Sequence, residues 1–328
     1  MLNFPEPPKS YSSVFLEETD KTLPQKINHR TRYAFFSTIA KGGKSLIKSC
    51  KDLHLSRFVC YKTLKPEYAD DELEQQRLIR EARVSAMLQH PNTVPTYELG
   101  RDAKGHCYFT MKLVHGYTLR EILDYRERYD LTQLMEVILQ VAYALVYAHE
   151  HGVAHRDIKP ENILVGPFGE VLLLDWGLAK VWNLDGSAIA ELNSDKESAT
   201  KISDISITGQ GKAQGTARYM SPEQVNQDPN IDHRTDLFSL GAVLYEVLCG
   251  KPPAVGEKLH EVIESVLNDS PVRPSEVTSQ VVPKILENIA MQCLQKKADD
   301  RYSSMVEIVR LIQHDWRSSL VAGHETLE

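Results

Sequence analysis

The apolar residues of the chain change period several times, and each change marks an element. Tyr33-Ala34-Phe35-Phe36-Ser37-Thr38-Ile39 and Phe58-Val59-Cys60-Tyr61-Lys62-Thr63-Leu64 are rich in aromatic and β-branched residues, as strands are, and Gly42-Gly43 breaks the chain between them. Across residues 70–89, Leu73, Leu78, Ala82, Ala86 and Met87 recur among charges, which predicts an amphipathic helix stopped by His90-Pro91-Asn92. Residues 108–114 read as a further strand running into Gly116. Thr118 is placed to cap a short helix with Leu119, Ile122 and Leu123 inward. From near Thr132, Leu134, Ile138, Val141, Leu145 and Ala148 recur at three- and four-residue steps, the stripe of a core helix.

Two short apolar runs, Ile163-Leu164-Val165 and Val171-Leu172-Leu173-Leu174, flank the turn residues Gly166-Pro167-Phe168-Gly169. They predict a hairpin that brings Asn162 and Asp175 to one end. Residues 183–214 then lose apolar period and fill with Ser, Asp, Thr, Gly and Lys, the composition of a functional loop or a plain linker. An apolar helix begins at Asp236 and Leu237, and further helices are expected over 257–267, 283–296 and 303–316. Residues 1–30, with proline, serine and mixed charge, read as an extension, and residues 319–328 as a tail.

With 328 residues, 42% hydrophobic and 25% charged, the chain can bury a core unaided. A net charge of -7 argues against nonspecific nucleic-acid binding, which needs a basic surface. Cys50, Cys60, Cys107, Cys249 and Cys293 are scattered without a C-x-x-C pair, so neither a disulfide framework nor a zinc site is suggested and a reducing cytoplasm is expected. The first residues lack the charged start and apolar run of a signal peptide, and the near-apolar stretch 237–249 is too short to span a bilayer, so no membrane span is expected.

The densest chemistry lies in His155-Arg156-Asp157-Ile158-Lys159-Pro160-Glu161-Asn162, followed after the hairpin by Asp175-Trp176-Gly177. Two oxygen ligands meeting at one end of a hairpin suit magnesium, which keeps its waters and takes a few protein oxygens plus substrate phosphates. Asp157, ahead of the hairpin, is left free to accept a proton. His149, His151 and His155 fit a helix end better than a metal site: His149 falls in the last turn, where a cation suits the dipole, and Gly152 can take the left-handed stop.

Here the chain resembles the protein kinases. The segment from His155 to Asn162 matches their catalytic loop, and Asp175-Trp176-Gly177 stands where they carry Asp-Phe-Gly. The resemblance implies an α+β, bilobal fold: a small β-rich N-lobe with one helix over residues 31–112, and a larger, mainly helical C-lobe over 113–318 with a long activation segment at 175–223. It assigns ATP and Mg2+ as cofactors, with Asn162 and Asp175 on the metal and Asp157, Lys159, Lys62 and Glu81 as catalytic residues. Lys62 would reach the alpha and beta phosphates and pair with Glu81, leaving Glu72 and Glu74 as surface charges. The glycine-rich loop, residues 40–47, keeps Gly42 of the usual three glycines, with Ala40 and Ser45 in the outer places; Gly42, Gly43 and Ile47 would line the nucleotide. Gly43-Lys44-Ser45 also ends like a Walker A loop, but that motif needs a glycine where Thr38 stands. Met111 takes the gatekeeper place and Leu113 would lend backbone groups to adenine.

Further along, Ser85 replaces an apolar packing residue, a change expected to loosen the helix's active pose. Ser203, Ser206 and Thr208 are hydroxyls that a phosphate could link to Arg156, Thr208 foremost. Residues 215–223 resemble the peptide shelf, with Glu223 paired to Arg301, and Asp236 would brace the catalytic loop. Lys159 and Thr216 follow the serine/threonine version of the pattern, and the Asp-Trp-Gly-Leu-Ala run looks like the eukaryotic-like kinases of bacteria. The implied partner is a protein with a serine or threonine acceptor. Two rivals stay open: a pseudokinase scaffold, suggested by Ala40, Ser45 and Ser85, and phosphotransfer to a small molecule, which the shelf disfavours.

Overall fold

The computed structural model describes residues 32–182 and 210–318. They form two compact units: one runs to Gly116 and takes in Gly166–Gly169, and the other covers Tyr117–Val165 and the chain from Glu170.

The first unit is a five-stranded antiparallel sheet with one long helix. β1 (Tyr33–Lys41), β2 (Ser45–Asp52), β3 (Arg57–Leu64), β4 (Thr96–Arg101) and β5 (Cys107–Lys112) stand in the order β1-β2-β3-β5-β4. β3 is central and covered on both faces, which explains its near-continuous apolar run. On one face Leu64, Cys107 and Phe109 meet Leu78 and Ala82 of the helix α1 (Glu72–Met87). On the other, Cys50, Val59, Tyr61 and Tyr108 cluster, with Tyr61 and Tyr108 stacked at 4.4 Å. Strand alternation sends Lys62 to the α1 side.

The inward face of α1 differs from the apolar pattern. Leu78 and Ala82 are buried as expected, but Leu73, Ala86 and Met87 are exposed, and the inward positions include Glu74, Glu81 and Ser85. The stripe Glu74-Leu78-Glu81-Ser85 has helical spacing, and its polar members are tolerated because each finds a partner. Asp71 caps the helix by accepting from the amides of Leu73 and Glu74.

In the second unit, Thr118 caps α2 (Leu119–Leu123) through a capping box with Glu121. α3 (Leu131–Glu150) begins at the Asp130 cap, a residue ahead of the expected start, and buries Leu134, Ile138, Val141, Leu145 and Ala148. Among the described residues α3 is long and apolar enough to cross a membrane, a length the 237–249 stretch lacks. Its apolar stripe is spent on the core of this unit. β6 (Tyr117–Thr118), β8 (Ile163–Val165) and β9 (Val171–Leu173) form one small sheet, and β7 (Val153–Ala154) pairs with β10 (Lys180–Val181).

A helix absent from the apolar pattern, α4 (Gln210–Ala217), stands where period was lost; Ala217 anchors its end among Val225, Val262 and Val266, so tertiary packing holds it. After α5 (Pro222–Val225) comes α6 (Arg234–Cys249), buried from Thr235 to Cys249 and hence apolar on every side. α7 (Leu259–Asn268), α8 (Pro274–Val277), α9 (Lys284–Cys293) and α10 (Met305–Arg310) follow, the last continuing as a π-turn to Trp316. Gly241 lets α6 and α9 close, since a Cβ there would lie 2.3 Å from the Cβ of Cys293.

Arg301, fully buried, donates to both carboxylate oxygens of Glu223 at 2.6 and 2.8 Å, the expected pairing. Removing the carboxylate strands a buried guanidinium. Glu223→Gln is expected to lower unfolding stability by about 3 kcal/mol or more, read as a lower urea midpoint at unchanged slope.

Candidate active site

Within the first unit the sheet and α1 place Lys62 against Glu81. Lys62 Nζ donates to Glu81 Oε1 at 2.5 Å, with both residues buried. The register pairs Lys62 with Ile47 on β2 and Phe109 on β5, so Ile47 lies beside the lysine across the ladder. The glycine turn is shorter than the expected loop: β1 reaches Lys41 and β2 begins at Ser45, so Ala40 and Ser45 are strand residues and only residues 42–44 turn. The Gly42 amide donates to the Ser45 carbonyl at 3.0 Å, and a Cβ on Gly42 would meet the Ser45 hydroxyl at 2.6 Å. A side chain at Gly42 would thus require the Ser45 hydroxyl to turn away, while the outer two places already carry side chains within strands.

Glu74, expected at the surface, is buried and accepts from Lys44 at 2.9 Å and Arg77 at 2.6 Å. The turn is thus tied to α1 by charge as well as by the sheet. Ser85, in the place of an apolar residue, is buried and its hydroxyl donates to the Val94 carbonyl at 3.2 Å. Met111 packs on the Leu64, Leu78 and Phe109 cluster, and Leu113 follows the end of β5, half-buried.

In the second unit the hairpin register Ile163↔Leu173 is extended by the Leu174 amide, which donates to the Asn162 carbonyl at 2.8 Å. Asn162 and Asp175 therefore meet at one end of the hairpin. Asn162 Nδ2 donates to the carbonyl and to Oδ2 of Asp157 at 2.8 and 2.9 Å, and Lys159 Nζ donates to both Asp157 oxygens at 2.9 and 2.8 Å. Asp157 is thus clamped rather than free. Lys159 also donates to Thr216 at 3.3 Å, joining the loop to α4. Burial opposes the Lys159 charge, but Asp157, aided by Asp175 and Glu161, overrides it and holds the ammonium above its ordinary value.

The loop is fixed from beneath. Asp236, wholly buried on α6, accepts from the amides of His155 and Arg156 and faces His149 Nε2, each at 2.8 Å. Burial works against the Asp236 carboxylate, but His149 and these donors prevail and hold it below the usual carboxylate range. His149 thus serves a buried acid rather than only the α3 dipole; the partners are 87 residues apart and no local pattern announces them. His155 Nδ1 accepts the Asp157 amide, so a neutral ring carries its proton on Nε2 and donates to the Leu174 carbonyl at 2.9 Å. Its edge meets Trp176 at 4.5 Å. Arg156 and Asp175 take φ of 68° and 63°, left-handed conformations costing side-chain-bearing residues about 1–3 kcal/mol each. Gln224, unmarked by any motif, supports the first by donating to the Arg156 carbonyl at 2.6 Å.

Among the described residues no three His, Cys, Asp or Glu side chains gather as a metal cage. An amide oxygen beside one carboxylate fits magnesium, which completes its shell with waters and phosphates. Ser203, Ser206 and Thr208 lie outside the described residues.

A sheet-and-helix unit with a buried lysine–glutamate pair, and a helical unit with an Asp-Lys-Asn loop over an Asp-bearing hairpin, together define the class. The protein kinase domain profile matches residues 33–317, and the chain belongs to that family. It is 35% identical over 297 residues to serine/threonine-protein kinase PknD of Protochlamydia amoebophila, covering 86% of this chain and 30% of that protein. It is 32% identical over 307 residues to PknB of Mycolicibacterium smegmatis, covering 93% and 44%. PknB of Mycobacterium tuberculosis is 33% identical over 290 residues, covering 88% and 43%. The chain thus spans less than half the length of these relatives.

The Asp236 shift fixes a pH dependence. Because its pKa is lowered on folding, its contribution is complete above the unfolded value of about 4 and is lost as pH falls through the lower folded value. Urea titrations stepped down through this acid range are expected to show wild-type stability falling more steeply than that of Asp236→Asn; equal slopes would remove Asp236 as the cause.

Proposed function

We propose that the chain is the catalytic domain of an ATP- and magnesium-dependent serine/threonine protein kinase, transferring the gamma-phosphoryl group of ATP to protein hydroxyls. The observation that carries this reading is the clamp in which Lys159 and Asn162 both hold Asp157, at the end of the hairpin that bears Asp175. Asp157 orients the acceptor hydroxyl and takes its proton as the oxygen bonds to the gamma phosphorus, while the bond to the bridging oxygen breaks and ADP leaves. Lys159, held charged, is the group to turn from Asp157 to the transferring phosphoryl oxygens. Lys62, kept in place by Glu81, is assigned to the alpha and beta phosphates, Gly42, Gly43 and Ile47 to the nucleotide, and Met111 and Leu113 to adenine. Magnesium, when bound by Asn162 and Asp175, neutralises phosphate charge.

The grounds for a scaffold without turnover weaken, since Ala40 and Ser45 sit in strands and Ser85 is satisfied. Relatives named serine/threonine-protein kinases support a protein acceptor. Autophosphorylation within the activation segment, Thr208 foremost, belongs to the same reading. A reducing, cytoplasmic setting suits five buried thiols without a disulfide; recovery of active domain from an extracytoplasmic fraction would contradict it.

Lys62→Met and Asp175→Asn are each expected to lower transfer from radiolabelled ATP by about a thousandfold or more, to a generic acceptor protein and to the chain itself, with thermal unfolding still cooperative. Full activity in both folded variants would overturn the assignment.

A further inference from the structure

Two lysine–glutamate rungs join the sheet of the first unit to one stripe of α1. Lys62 of β3 meets Glu81, and Lys44, in the turn between β1 and β2, meets Glu74 at 2.9 Å. Glu74 precedes Glu81 by seven residues, so the rungs stand about 10.5 Å apart along the helix axis. In the kinase reading the Lys62 rung serves the alpha and beta phosphates, while the Lys44 rung is without a role.

The second rung is built to come apart. Lys62 and Glu81 are both buried, whereas the Lys44 side chain is 24% exposed. Glu74 Oε1 accepts from Lys44 Nζ and also from Arg77 Nη1, at 2.6 Å, so two cations crowd one oxygen and repel each other. Were Lys44 to leave, Arg77, three residues along the same helix, would keep the buried carboxylate paired. Departure therefore avoids stranding a charge out of water, the cost that breaking the Lys62 rung would incur. The turn backbone need not move: the Lys65 amide donates to the Lys44 carbonyl at 2.9 Å, and Lys65 Nζ to the Gly43 carbonyl at 2.6 Å. Only the four-carbon stem of Lys44 has to rotate.

The register sets where that stem can reach. Ile47 pairs with Lys62 and Ser45 with Leu64, so the turn begins two residues beyond Lys62 along β3, on the side of the second rung. A phosphate chain held by Lys62 and covered by the turn extends its terminal group toward that rung. We infer that Lys44 is a nucleotide-binding residue that exchanges Glu74 for the terminal phosphate of ATP, with Arg77 taking over the carboxylate, so that the domain favours ATP over ADP. The inference rests on the protein kinase reading and deepens it. One ion pair replaces another, and no covalent bond changes.

Equilibrium binding of ATP and of ADP to the full chain, each with magnesium, tests it in wild type, Lys44→Met and Glu74→Gln. Lys44→Met is expected to weaken ATP about tenfold or more and ADP by less than about threefold. Glu74→Gln removes the competing carboxylate charge and is expected to tighten ATP by about threefold or more while leaving ADP unchanged. The double variant should bind ATP no better than Lys44→Met alone, because the gain acts through Lys44. Where Glu74→Gln gives no cooperative thermal unfolding, Lys44→Met decides, since it leaves Arg77 on Glu74. Wild-type ATP affinity in Lys44→Met, equal weakening of ATP and ADP, or a folded Glu74→Gln that gains no ATP affinity would each overturn the inference. A wild type that neither binds ATP with magnesium nor transfers its phosphoryl group would instead bring down the kinase reading, and this inference with it.

Discussion

A carboxylate buried in the first turn of a helix sets the terms for the catalytic loop. Asp236 is removed from water on α6, and a charge so placed is tolerated only if its oxygens are satisfied. The chain satisfies them with the amides of His155 and Arg156 and the ring of His149. Those two amides belong to the residues immediately before Asp157, so meeting the electrostatic demand fixes the backbone that aims it. The left-handed conformation of Arg156 follows from the same demand, held on its amide side by Asp236 and on its carbonyl side by Gln224. α6 can supply such an anchor because it is buried along its length, and Gly241 permits the close approach of α9 that buries it.

Each unit carries paired charges: in the first Lys62 sits on Glu81, and in the second Lys159 sits on both oxygens of Asp157 and Arg120 on Glu246. Buried pairs of this kind add little net stability, since desolvation offsets most of the attraction, but breaking one is costly and so the geometry is specific. The consequence is a set of side chains already oriented before substrate arrives, which lowers the reorganisation that phosphoryl transfer would demand.

Much of this was legible in the sequence because it is local. The hairpin between Asn162 and Asp175 follows from two apolar runs and a turn, the α3 core stripe from its period, and the Thr118 cap from residue type. Kinase resemblance supplied the pairs Lys62 with Glu81 and Glu223 with Arg301, which no periodicity reveals. What escaped was the partnering of distant polar residues. Glu74 reads as a surface charge until Lys44 and Arg77 are placed beside it, and Ser85 reads as a defect until the Val94 carbonyl appears. α4 escaped because packing of Ala217, rather than an amphipathic pattern, holds it. Arg120 lies in an ordinary capped helix and gains significance only from Glu246, 126 residues away.

Amide hydrogen exchange at His155 and Arg156 addresses the anchor itself, independently of activity. In the wild type these amides donate to a buried carboxylate and should exchange slowly; in Asp236→Asn they should exchange faster by about tenfold or more, while the core of α9 keeps its protection. Unchanged protection at both amides in the folded variant would mean that the catalytic loop holds its shape without Asp236, and would contradict the account at its root.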